Sequence, residues 1–176
     1  MGIEPETKDW TWVLERPCPE CGQNVSQLDI AQCAQILREL APQWRTEIDQ
    51  PQVALRPNDH TWSRLEYGAH VRDALAVFGE RIDLMITLDS PTFPDWDQDA
   101  AAANYGAENP AQVASEVANA IEASADLLDN LDPETHARRG LRSDGAPFTV
   151  TSLAQYFVHD VAHHLVDVRA QSAAPR

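Results

Sequence analysis

The sequence predicts an all-α fold, a four-helix bundle in which a long crossover joins the second and third helices. Three observations carry that expectation. Apolar residues recur at three- and four-residue steps over four long segments. Capping residues stand where those segments begin. No segment alternates apolar with polar for long enough to read as a half-buried strand.

The first helix is expected over Val25–Glu47, with Leu28, Ile30, Ala31, Ala34, Ile36, Leu37 and Leu40 at helical spacing. Pro42 is expected to bend it or end it near Ala41, with Trp44 and Ile48 arguing that it resumes. Pro51, Pro57, Asn58 and Asp59 mark the loop that follows. Ser63-Arg64-Leu65-Glu66 reads as a capping box, in which hydroxyl and carboxylate each satisfy an unpaired backbone N–H. It opens a second helix over Ser63–Leu88, whose apolar stripe is Tyr67, Val71, Leu75, Phe78, Ile82 and Met85. Ser90 to Pro94 breaks that helix, and Asp95 to Asp99 begins a crossover with a short Ala-rich turn. Asn109-Pro110 starts a third helix over Pro110–Leu131, with Asn as cap and Pro in the first turn. Arg138 to Pro147 is polar and holds a Ser143-Asp144-Gly145 turn. A fourth helix is expected over Thr149–Ala170. Residues 1–23 read as an N-terminal extension with a C-x-x-C knuckle, and 24–176 as the bundle.

Composition narrows the function classes. With 28 acids against 13 bases, the net charge of -15 repels a phosphate backbone, so DNA and RNA are not expected partners. No stretch approaches the roughly 18 apolar residues of a membrane span, so no membrane partner is expected. Met1 to Asp9 carries three acids and no apolar run behind it, which does not read as a signal peptide, and a cytoplasmic location is expected.

Three cysteines, Cys18, Cys21 and Cys33, are too few for a disulfide scaffold. Cys18 and Cys21 form half of a zinc-ribbon knuckle in Pro17-Cys18-Pro19-Glu20-Cys21-Gly22. A closed zinc site needs four ligands, and no second C-x-x-C or H-x-x-x-H lies within ribbon spacing. Nothing in the spacing recommends Cys33 or His60 to complete it, so two reduced thiols are the expected state.

The chemistry concentrates in the fourth helix, where His159, Asp160, His163, His164 and Asp167 fall within nine positions. Residues four apart share a helix face and suit two ligands on one ion. Two such pairs exist, His159 with His163 and Asp160 with His164, about 100° apart around the helix. Leu153, Phe157, Asp160, His164 and Val168 trace one continuous face, which favours the second pair as inward ligands. His159 and His163 share a more polar side with Ser152, Gln155 and Tyr156, and either would then orient a ligand from behind. A third ligand must come from another helix. His70 lies beside the apolar stripe of the second helix; such a lone histidine is ordinarily a buried, hydrogen-bonded core residue, but it stands opposite a histidine-rich helix. His60 in a Pro-rich loop and His136 in a polar linker are weaker candidates.

The pattern Trp62-Ser63-x-x-Glu66-x-x-x-His70, with H-D-x-x-H-H-L-x-D closing the fourth helix, resembles the DinB-like superfamily of metalloenzymes. The likeness extends from Asn24 to Val168. The resemblance implies a divalent metal, zinc, nickel or iron, held by His70 together with Asp160 and His164; Asp160 stands where many members carry His. The chain is also similar to the N-terminal domain of mycothiol-dependent maleylpyruvate isomerases, in which a carboxylate partners two histidines. What this implies is a thiol S-transferase or thiol-dependent isomerase, with a low-molecular-weight thiol as cosubstrate and an electrophile as its partner; a homodimer is an assembly the sequence leaves open. Two histidines and a carboxylate also suit a non-haem iron oxygenase. A closed site without an adjacent cavity would instead mark a non-catalytic stress or sensor protein.

Overall fold

The computed structural model describes residue 3 and residues 9–173. The charge pattern read at Met1 to Asp9 therefore lies largely outside the described residues, as does the end of the bundle segment at 174–176.

Four long helices form the bundle: α1 (Ile30–Ile48), α2 (Arg64–Thr87), α4 (Pro110–Asp129) and α5 (Val150–Ala173), with a short α3 (Gln98–Ala102) in the crossover. Helix α1 packs against α4 and α5, and α2 packs against the same two. The first two helices, consecutive in sequence, thus sit diagonally across the bundle.

Three of the four long helices begin within a residue of the expected position, two of them at the predicted caps. The Ser63 hydroxyl accepts from the Glu66 N–H, the Glu66 carboxylate accepts from the Ser63 N–H, and Asn109 caps α4. Thr149 and Ser152 cap α5 reciprocally, each hydroxyl accepting from the other's backbone N–H. The first helix differs. It starts at Ile30 rather than Val25, because Asp29 and Gln32 form a capping box that the apolar spacing alone does not reveal. Nor does Pro42 end or interrupt it. Ala41, Trp44 and Ile48 are all buried, and that packing holds the last turns against the lost hydrogen bond at Pro42.

A two-stranded ribbon, β1 (Arg139–Leu141) against β2 (Pro147–Thr149), was not expected. Three residues per strand are too few to show a period of two. The turn between the strands is the expected one, with Gly145 at φ +90° supplying a backbone conformation that side chains disfavour.

The N-terminal segment lies on the bundle. A 3-10 turn at Thr11–Leu14 packs against α5, and Val13 and Val25 are part of the buried core. Gln155 donates from Nε2 to the Leu28 carbonyl at 2.7 Å, and the Trp44 indole donates to the Val161 carbonyl at 3.1 Å. Helix α5 is consequently enclosed on several sides: Leu153, Gln155, Phe157, His159, Val161, His163 and Leu165 are all buried. Among the described residues, no helix is long and apolar enough to cross a membrane.

Candidate metal centre

The site begins with the cap of α2. Glu66 is buried and accepts from the Ser63 N–H and hydroxyl at 2.8 Å each and from Arg56 Nε at 2.9 Å. Burial alone would raise its carboxyl, but the bonds from Arg56 and Ser63 hold it below the usual carboxylate range. This ionised anchor fixes the first turn of α2, and His70 follows one turn later.

His70 is 5% exposed and lies between two indoles, Trp62 at 5.0 Å and Trp96 at 5.6 Å between ring centroids. Its ring meets His164 of α5 edge to face at 5.1 Å. The ligand atoms of His70, Asp160 and His164 all lie within 4.8 Å of one another. His164 Nε2 is 3.6 Å from Asp160 Oδ1, and His164 Nδ1 is 3.0 Å from Asp167 Oδ2. That second contact suits an Nδ1–H donated to the Asp167 carboxylate, which leaves Nε2 as a lone-pair donor facing Asp160 and His70. His70 Nδ1 and Asp160 Oδ2 are buried and have no hydrogen-bond partner among the described residues. Burial, reinforced by the nearby His164, pushes the His70 imidazole down to about 4, so it is neutral near pH 7. Two imidazoles and a carboxylate, with His70 Nδ1 and Asp160 Oδ2 unpaired, fit a divalent cation.

These groups line a cavity of about 410 Å³ that also touches Trp62, Tyr67, Tyr156, Gln98 and Asp99 of α3, and on its far side Trp10, His159 and His163. His60 reaches this cavity without joining the cluster, and His136 lies outside it.

His159 and His163 face a different neighbour. Their ring nitrogens lie with the sulfurs of Cys18 and Cys21, all four ligand atoms again within 4.8 Å of one another. Cys18 Sγ is 3.8 Å from His163 Nδ1, across 145 residues of sequence. The polar side of α5 is thus not a solvated side: the N-terminal segment covers it, with Trp10 centred 5.5 Å from His159 and 4.7 Å from His163. The two thiols are free, as expected, and what the spacing did not reveal is that His159 and His163 stand beside them. The H-x-x-x-H lay outside ribbon spacing because the fold, rather than a local loop, supplies it.

The family model for the DinB superfamily matches residues 35–167. The chain belongs to the DinB superfamily. Comparison with curated proteins finds no match. Among solved structures, this DinB-like chain is similar to YfiT from Bacillus subtilis, a probable metal-dependent hydrolase with an unusual four-helix bundle topology. The two share 15% identity with a TM-score of 0.69, over 99% of this chain and 95% of that one, a likeness of fold.

Three features of this DinB-like site escaped the sequence reading. Asp167 supports His164 and had a visible signal, its spacing of three residues along the helix. Trp62 and Trp96 wall His70 from separate loops, and only the fold joins them. The third is the cysteine partnership of His159 and His163.

Proposed function

We propose that this chain is a metal-dependent enzyme, a thiol S-transferase or thiol-dependent isomerase, whose divalent cation is held by His70, Asp160 and His164. One observation carries the reading: three donors from two helices, with orphaned buried atoms among them, converge at the wall of a cavity large enough for a small substrate. Three protein ligands leave a coordination position open on the cavity side, which argues against a closed, non-catalytic site. A cation bound there would lower the pKa of a coordinated thiol or water and so supply a nucleophile at neutral pH.

The protein's own groups do the rest. Two neutral imidazoles and one carboxylate leave a divalent centre with a net positive charge, which favours an anionic thiolate in the open position. Asp167 accepts the His164 Nδ1–H and fixes the ring with Nε2 towards the centre. Trp62, Tyr67 and Tyr156 offer aromatic surface for the body of an electrophile. The ligand set also suits iron(II), and zinc, nickel and iron are the metals to test.

Hydrolysis is the second reading, favoured by the fold likeness to YfiT and by the ability of the same open position to take water. Metal analysis of the purified chain, followed by transfer assays with low-molecular-weight thiols including mycothiol against a panel of electrophiles, tests the first. A parallel panel of esters and amides tests the second. Thiol-dependent turnover that disappears in His164→Ala supports transfer. Thiol-independent cleavage that disappears in the same variant replaces it with hydrolysis.

A further inference from the structure

We propose a second metal site in this chain, a structural zinc centre of two cysteines and two histidines made by Cys18, Cys21, His159 and His163, which fastens the N-terminal segment to α5. It is separate from the proposed open site and does not depend on it.

The two halves are each built for the purpose. In Cys18-Pro19-Glu20-Cys21-Gly22 the chain turns back on itself: the Gly22 N–H donates to the Cys18 carbonyl and the Cys18 N–H to the Gln23 carbonyl, both at 2.8 Å. Gly22 sits at φ +75°, a conformation that any side chain would strain, and the turn brings the two sulfurs to one side. Burial pushes the Cys21 thiol up to about 11, and a hydrogen bond from the Gln23 backbone N–H works against that rise. On α5, one turn separates His159 from His163, and their rings lie 5.1 Å apart.

Distance and burial then select a metal over a simple thiol–imidazole contact. Zinc–sulfur and zinc–nitrogen bonds of about 2.3 and 2.0–2.1 Å in a tetrahedron separate the donor atoms by about 3.6 Å. Cys18 Sγ and His163 Nδ1 stand at 3.8 Å. A hydrogen bond explains that pair alone, but not why Cys21 and His159 close on the same point. His159 is 3% exposed, and its Nε2 has no hydrogen-bond partner among the described residues. His163 turns its other nitrogen outward, with Nε2 3.6 Å from Glu20 and 3.8 Å from Asp167, so its Nδ1 is the donor available to the sulfurs.

Binding releases two thiol protons to solvent, and two thiolates with two neutral imidazoles cancel the charge of Zn²⁺. Four protein ligands fill the tetrahedron, so this centre holds structure and has no position for substrate. Asp167 Oδ2 lies against both histidine systems, 3.0 Å from His164 Nδ1 and 3.8 Å from His163 Nε2, and links the two centres through one carboxylate.

The test uses the reduced, metal-free full-length chain titrated with cobalt(II) and then with zinc. The expected result is thiolate-to-cobalt charge-transfer absorption that zinc displaces. The absorption should be absent in Cys18→Ser/Cys21→Ser and retained in Cys33→Ser and in His70→Ala. Zinc should also shield Cys18 and Cys21, read by mass mapping, from alkylation in the unmodified chain, which needs no variant to fold. A wild-type chain without that absorption, absorption that survives the double substitution, or alkylation of Cys18 and Cys21 at equal rates with and without zinc would each overturn the proposal. Retention of the absorption in His70→Ala separates this site from the open one, whose failure leaves it untouched.

Discussion

Two ligand clusters on one helix, rotated about 100° from each other, face opposite fates. Asp160 and His164 are partly exposed at a cavity, joined by a single histidine from α2. His159 and His163 are buried beneath Trp10 and meet two cysteines from the N-terminal segment. The first set has three donors at the cavity wall; the second has four donors, two of them buried histidines that reach the same cavity. Coordination number and burial, not ligand identity, separate a site that can react from one that can only hold.

The largest expected effect falls on the open side. His164→Ala removes one of three donors, about a third of the ~10–16 kcal/mol typical of a zinc site, and should weaken metal binding by on the order of 1000-fold. Turnover should fall with it, while the melting temperature of the metal-free chain changes little. Competition with a chromophoric chelator and thermal melts read the two quantities, and a large loss of stability without loss of metal would erase the contrast between the clusters.

Next comes the closed side, where the effects should invert. Cys18→Ser/Cys21→Ser is expected to cost about 3 kcal/mol, which for a chain of this length lowers the melting temperature by ~10 °C. The metal at His70, Asp160 and His164 should remain within about threefold of its original affinity, because no donor to it has changed. His159→Ala should behave the same way, whereas Asp160→Ala should release the open-site metal.

Asp167→Asn sharpens the comparison, since this carboxylate touches both sides. Losing the acceptor behind His164 should weaken the open-site metal by about 10- to 100-fold, with a smaller effect at the closed site, where His163 keeps Glu20. Equal weakening at both sites would assign Asp167 to the two centres alike.

The smallest effect is a pH dependence of the metal-free chain. Burial lowers His70 and His159 to about 4 from an ordinary 6.5. Between those values the unfolded chain binds protons that the folded chain refuses, so stability should be complete above about 6.5 and decline as pH falls towards 4. Urea unfolding of the chelator-treated chain at several pH values checks the sign. A decline confined to pH below 4 would contradict it.

The sequence by itself determined the bundle. Helical spacing and the caps at Ser63 and Asn109 are local signals, and local signals survive in a single chain without its neighbours. It also brought His70, Asp160 and His164 forward, because a helix of known phase presents residues four apart on one face. The start of α1 at Ile30 required a capping box whose members look like ordinary polar residues. Only the tertiary structure decided what each face of α5 meets. Whether Gln155, His159 and His163 face water or a partner depends on a segment more than 100 residues away settling over them, as the 145-residue span from Cys18 to His163 shows. Helical periodicity reports that a face is polar, but a polar face can be solvated or can be met by complementary groups, and the choice between those is made by packing.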